Sequence, residues 1–319
     1  LYRMTPEQHA AKIRELEAPM AAAYLAEVRA VESAATVAEV ERLIAEDDRD
    51  GLAVLLSLGS LTLFTELFRT AFIQGAQNEL AGRWRFDSNT WAVINLLMGE
   101  YRSISDTSNM DLRKTIDVVL ANGNTTRNKA LDLLGVKGST ARRTGGMVGL
   151  PVQMSEWVES ARQQLLSGDR AAMRAYLTRK LRDTAYDRFI IPGSKLTIEQ
   201  ANTISRAYSA RLLQSYAKQL AQTYAQQAYN AGRNHAIQQL LDNGTITLDE
   251  VHKKWRTMRD ERVRHSHATM NNQRVGFTEP FVSGIGGLLM YPGDTSLGAS
   301  DADIYNCRCS LEYTISRRF

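Results

Sequence analysis

Apolar residues recur every three or four positions as far as about residue 247, the period of helices that bury one face. Thr5, Pro6 and Gln8 form a capping-box start with proline at the first helical position, and an Ala- and Glu-rich helix is predicted from there to about Asp48. Asp50-Gly51 reads as its break. Leu55, Leu58, Leu61, Phe64, Leu67, Phe68 and Phe72 predict a second long helix over about 52–80, ended by Ala81-Gly82. Phe86 to Asn89 offers a cap for a short amphipathic helix over 91–101. Asn122-Gly123-Asn124 separates the next two helices, and Gly135, Gly138 and Gly145-Gly146 make a flexible connection. Helices follow over 154–166 and 169–189, the second broken by Pro192-Gly193. The longest periodic stretch, 197–241, reads as two helices or one bent one.

After Leu248 the texture changes. Glycine becomes frequent, and aromatic and β-branched residues alternate with polar ones, predicting short strands at 274–277, 289–291 and 311–315. The fold class is therefore mainly α: a long-helix body followed by a small C-terminal α+β domain with short strands. Punctuation divides the chain into an N-terminal helical region 1–120, a basic helical middle region 121–247 and the small domain 248–319.

With 319 residues, 44% hydrophobic and 23% charged, the chain can build two or three domains and a sizeable core. A net charge of +4 permits an anionic partner without demanding one. Two cysteines exclude a disulfide framework and fit a reducing compartment. The most apolar run, 52–64, is shorter than the roughly 20 residues a bilayer requires, so it reads as a buried helix and no membrane partner is expected. The start, Leu1-Tyr2-Arg3-Met4, has no apolar leader core and no initiating methionine, as a trimmed or processed chain would show.

The chemistry concentrates in the last sixty or so residues. Both cysteines lie in Asn306-Cys307-Arg308-Cys309, and two of the five histidines, His265 and His267, lie near Trp255, Asp260 and Arg262. In an extended chain, Cys-x-Cys and His-x-His each put two soft donors on one face, and two such pairs supply the four N/S ligands of a structural zinc. The alternative is small buried thiols and a hydrogen-bonding core histidine. Asp260 with Arg262 or Arg308 reads as a buried ion pair fixing a turn, against a catalytic carboxylate. Trp255 reads as a core anchor, and Pro292-Gly293-Asp294 as a turn.

Taken in order, Lys253-Lys254-Trp255, Asp260-Glu261-Arg262, Ser266-His267, Tyr291-Pro292-Gly293-Asp294 and Asn306-Cys307-Arg308-Cys309 resemble the C-terminal domain of the phage Mu F-like minor head proteins, or head morphogenesis proteins, over about 253–313. A weaker resemblance begins near residue 170. Residues 224–233 resemble a family helix that usually carries Ala-Arg-Thr-Glu before Asn-x-Gly; here that Arg and Glu are replaced. Many relatives read Cys-x-x-Cys where this chain reads Arg264 to His267. The resemblance therefore implies His267, Cys307 and Cys309 as zinc ligands, with His265 as a fourth, and with Trp255, Asp260, Arg262, Pro292, Gly293, Asp294, Asn306 and Arg308 as structural motif residues. Some relatives continue into a toxin module; with Phe319 only ten residues after Cys309, none is expected here.

Residues 121–190 hold twelve Lys/Arg against six Asp/Glu. Arg142 and Arg143 sit in the Gly-rich connection, and Arg174, Arg179, Lys180, Arg182 and Arg188 crowd one predicted helix; these are the candidate contacts to DNA phosphates or portal, against a solvated face paired with Asp183 and Asp187. Residues 124–141 have a helix-turn-helix outline, but its second helix would start at Gly138, so no sequence-specific reading of DNA is expected.

The resemblance implies a non-enzymatic minor capsid protein of a tailed bacteriophage. It would lie inside the head at the portal, after assembly in the host cytoplasm, and act in head assembly or DNA delivery. Its partners would be the portal protein, packaged double-stranded DNA bound without sequence preference, and the major capsid or scaffold protein. Two rivals are a metal-dependent nuclease using His265, His267, Asp260 and Asp294, and a free non-specific DNA-binding protein.

Overall fold

The computed structural model describes residues 4–139 and 142–316, and the side chains among them except at 100–105. The start at Leu1, the end at Phe319, and Thr140 and Ala141 of the helix-turn-helix-like segment lie outside the described residues. The helices are α1 (Pro6–Ala34), α2 (Val37–Ala45), α3 (Arg49–Leu56), α4 (Thr62–Glu79), α5 (Ser88–Ala121) and α6 (Thr126–Leu134). A hairpin of β1 (Val136–Lys137) and β2 (Arg143–Thr144) leads to α7 (Val152–Leu166), α8 (Arg170–Leu177), a 3-10 turn (Thr184–Phe189) and α9 (Ile198–Asp242). The remainder is β3 (Val251–Arg256), α10 (His265–Ala268), β4 (Arg274–Gly276), β5 (Phe281–Val282), β6 (Leu288–Leu289), α11 (Asp301–Ile304) and β7 (Ser310–Ile315). The chain is mainly helical with small antiparallel sheets near its C-terminus. Among the described residues, no helix is long and apolar enough to cross a membrane.

Local caps decide where helices begin. Thr5 and Gln8 exchange the two bonds of the predicted capping box, at 2.9 and 3.2 Å. Thr197 and Gln200 repeat the device at the start of α9, which then runs uninterrupted for 45 residues rather than as two helices. Several predicted spans differ from those observed. The helix expected to reach Asp48 stops at Ala34, because Thr36 caps α2 and Asp48 caps α3. Gly51, expected as a breaker, lies inside the first turn of α3 and donates its N–H to Asp48. The next break falls instead at Leu61, in the left-handed region at φ 49°. The short helix expected at 91–101 is the start of 34-residue α5, extended because Leu112, Ile116 and Val119 find burial beyond its Ser/Asp/Asn-rich stretch.

The chain forms two compact units, each assembled from segments distant in sequence: Leu1–Ala23, Thr62–Gly99 and Lys218–Phe319 in one, Tyr24–Leu61 and Glu100–Ala217 in the other. No punctuation in the linear pattern marks these joins. The first unit contains a close helix crossing. Gly75 of α4 lies against the backbone of Tyr229, and Gly232 of α9 against that of Phe72; an added Cβ would come within 2.1 Å and 1.9 Å of the respective carbonyl oxygens. Phe64, Phe68, Phe72 and Tyr229 fill the core around it. The same unit holds the three-stranded antiparallel sheet β4-β3-β7, with β3 central. Along β3, Val251, Lys253 and Trp255 are buried in strict alternation. The second unit is built around a buried charge cluster, where Asp132 accepts from Arg162 at 2.8 Å and Arg206 at 2.9 Å.

Candidate metal centre

Backbone geometry sorts the four predicted donors. Cys307 and Cys309 lie in extended chain immediately before β7, so period two turns both sulfurs to one side. Asn306 before them takes φ 55°, a left-handed turn that asparagine tolerates. The His-x-His segment is not extended. Residues 265–268 form the one-turn helix α10, with Arg264 at its N-terminal boundary, and helical residues two apart point about 200° away from each other. His267 is therefore buried while His265 faces solvent, which corrects the expectation that both would serve as ligands.

Nδ1 of His267 lies 3.6 Å from Sγ of Cys307 and 3.5 Å from Sγ of Cys309. The three donor atoms lie within 4.8 Å of one another, the one such His/Cys/Asp/Glu group among the described residues. A tetrahedral zinc with Zn–S bonds of about 2.3 Å and Zn–N bonds of about 2.0–2.1 Å sets S···N edges of about 3.5–3.6 Å. The donor set and its spacing thus fit zinc with three protein ligands. The Cys307 thiol is held well below its ordinary range, first by the hydrogen bond from Cys309 and then by His267, whereas Cys309 is pushed up by the same sulfur partner and by burial. Burial without a cation would oppose a second thiolate; a bound divalent ion supplies the charge that permits it.

The triad borders a small cavity also lined by Arg262, Val263, Arg264, Asn306 and Arg308. Arg264 donates to the carbonyls of Ala302 and Tyr305 and so ties the loop before the cysteines. Trp255 is fully buried, its ring centroid 5.5 Å from that of His267 and 5.2 Å from that of Phe281.

The other motif residues shape the backbone. Arg308 binds Asp260 through two 2.7 Å bonds, and this part-exposed pair holds the Asp260 carboxyl below the usual range. Asp260 also accepts the Arg262 N–H at 3.1 Å, so Arg262 joins the turn through its backbone, and the pair is with Arg308. Asp294 is fully buried and accepts the N–H groups of Met290 at 2.7 Å and Ser296 at 3.0 Å, closing the Pro292-Gly293-Asp294 turn. Gly293 has φ 88°, and a Cβ there would come within 3.1 Å of Gln227 Cα, so only glycine fits. The nuclease set is not assembled: His265 is exposed, Asp260 belongs to Arg308, and Asp294 is spent on backbone amides.

What the sequence reading missed is the support under these turns, a polar column buried along α9. Thr223 accepts the Asn306 N–H at 3.1 Å. Gln226 donates to the Cys309 carbonyl and meets Nε2 of His9 at 3.0 Å through its own oxygen. Gln227 donates to Thr295 at 3.2 Å and Asn230 to the Pro292 carbonyl at 3.2 Å. Arg233 donates to the Leu311 carbonyl at 2.9 Å and to Glu79 at 2.7 Å. Polar residues at i, i+3, i+4, i+7 and i+10 on an otherwise Ala-rich helix were the available sign.

The basic residues belong to the second unit and are less uniform than their count suggests. Arg142, Arg174, Lys180 and Arg188 are exposed. Arg143 donates to Gly135, Arg179 to Gln164 and Ser160, and Arg182 grips Asp187 with both arms. They do not share one helix: α8 ends at Leu177, and Asp183 caps a new 3-10 turn that carries Arg188. Arg162 is internal, bound to Asp132 and Glu159.

No curated protein and no solved structure matches the chain. A family model does, over less than half of the chain but across all of α9, β3, β4, the first half of β7, the turns and the triad. Residues 183–312 match the family described as Phage Mu protein F like protein, which makes this the Mu F-like region of the chain.

Proposed function

We propose that the chain is a minor head protein of a tailed bacteriophage, held inside the capsid at the portal and acting in head assembly or DNA delivery. The observation that carries this reading is the family match, which falls on the polar column and the paired turns it supports. The polar groups of the column and the turns are consumed in holding backbone, as suits an adaptor.

In this reading zinc is held by His267, Cys307 and Cys309 and cross-links the turn after β3 to the strand that closes the sheet. A small glycine-rich region with little core gains most from such a link. Exposed Arg142, Arg174, Lys180 and Arg188 meet packaged double-stranded DNA through its phosphates, without sequence preference and with steep salt dependence. The portal protein is the main protein partner, and the major capsid or scaffold protein a secondary one.

Deletion of the coding segment from the encoding phage tests the proposal. DNA-filled heads should fall in number, or form normally and fail to deliver DNA. Particles normal in number, DNA content and infectivity would overturn it.

A further inference from the structure

A carboxylate lies behind the candidate metal centre, in a place that spacing does not announce. Asp303 of α11 is fully buried, and its Oδ1 lies 3.5 Å from Nε2 of His267. That nitrogen is buried and makes no hydrogen bond, and the Asp303 carboxylate is the charged group that faces it. The carboxylate is itself fixed. Ser266 donates to Oδ1 at 2.9 Å and Ser283 to Oδ2 at 2.7 Å. Gly287 packs so closely that a Cβ there would come within 2.3 Å of Oδ2. No lysine or arginine bridges Asp303 among the described residues.

A buried carboxylate is costly unless its charge is met. Two serine hydroxyls and one imidazole meet it here. An ionised carboxylate can only accept hydrogen bonds, so the ring nitrogen facing it keeps its proton. The opposite nitrogen, Nδ1, then presents a lone pair toward the two sulfurs. Metal-bound histidines are commonly oriented in this way, through a carboxylate on their second nitrogen.

We infer that Asp303 is the positioning residue of the centre. It keeps His267 in the Nε2–H form and makes Nδ1 the metal donor. The inference rests on the metal reading of the triad.

The test uses the full chain. Zinc affinity is measured by competition with a chromophoric chelator for wild type, Asp303→Asn and His265→Ala. Asp303→Asn should bind about 10–100-fold more weakly, the usual cost of losing such a partner, and His265→Ala should bind like wild type. A second measurement needs no variant to fold. With histidine labelled with nitrogen-15 and cadmium-113 in place of zinc, the metal should couple to Nδ1 of His267, with Nε2 protonated. Metal coupling to Nε2, or zinc affinity unchanged by Asp303→Asn, would overturn the inference and leave the metal site standing. Failure of wild type to take up either metal would overturn both.

Discussion

Arg233 and Glu79 offer the sharpest test of how α9 holds the region that follows it. Both are buried, at 3% and 2% side-chain exposure, and their 2.7 Å bond joins α9 to α4. The second arm of Arg233 holds the Leu311 carbonyl at 2.9 Å, and its guanidinium lies 5.7 Å from the Tyr313 ring. Arg233→Met removes both bonds and leaves a buried carboxylate unpaired, which typically costs about 3–5 kcal/mol. At about 1.4 kcal/mol per decade, that is a loss of at least two decades in the folding equilibrium. Glu79→Leu should cost a similar amount. The double variant should cost far less than the sum, because a well-packed apolar replacement of both partners is often neutral. Urea unfolding in a Trp157→Phe background isolates the unit concerned, since Trp84, Trp91 and Trp255 all lie in it and Trp157 does not. Additive losses, or a loss below about 1 kcal/mol for Arg233→Met, would refute the argument that a desolvated pair pins β7.

Gly232→Ala should destabilise the same unit by about 1–3 kcal/mol or more in the same assay, because its Cβ would meet the Phe72 carbonyl within 1.9 Å; a neutral substitution would mean the crossing is looser than described. Burial pushes the Glu32 carboxyl up to about 7 from 4.5, against opposing pulls from Arg143 and Arg29. A raised acid favours the folded state below about 4.5 and loses that contribution as pH rises through about 7, so the stability of wild type relative to Glu32→Gln should fall across this window; a constant difference would contradict it. Removing zinc with a chelator should lower the thermal midpoint of wild type, by about 2.7 kcal/mol of stabilisation if the ion was present at about 100 times its Kd, and should leave a Cys307→Ser, Cys309→Ser double variant unmoved; equal responses would count against the staple.

The helical body was legible because amphipathic period and capping residues are local: Thr5 and Gln8 announced α1, and Asn122-Gly123-Asn124 marked the join of α5 and α6. Where tertiary burial overrode local composition, as at Leu112 to Val119, the short helix expected to end near residue 101 continued to Ala121. The cysteine pair was legible because extended chain has a fixed period. His265 was misplaced because the segment is a single helical turn rather than extended chain, and one such turn reverses which residues share a face. Asp303 and the α9 column were not legible, since their partners lie 20 or more positions away and only folding brings them together. The buried Asp132 cluster was hidden for the same reason, inside a segment that looked merely basic.

The most direct test is quantitative mass spectrometry of purified, DNA-filled particles of the encoding phage, scoring peptides of this chain against the major capsid protein. A reproducible count of a few copies per particle, protected from external protease until the DNA is released, is the predicted result. Particles without the chain, beside abundant free protein in the lysate, would contradict the account.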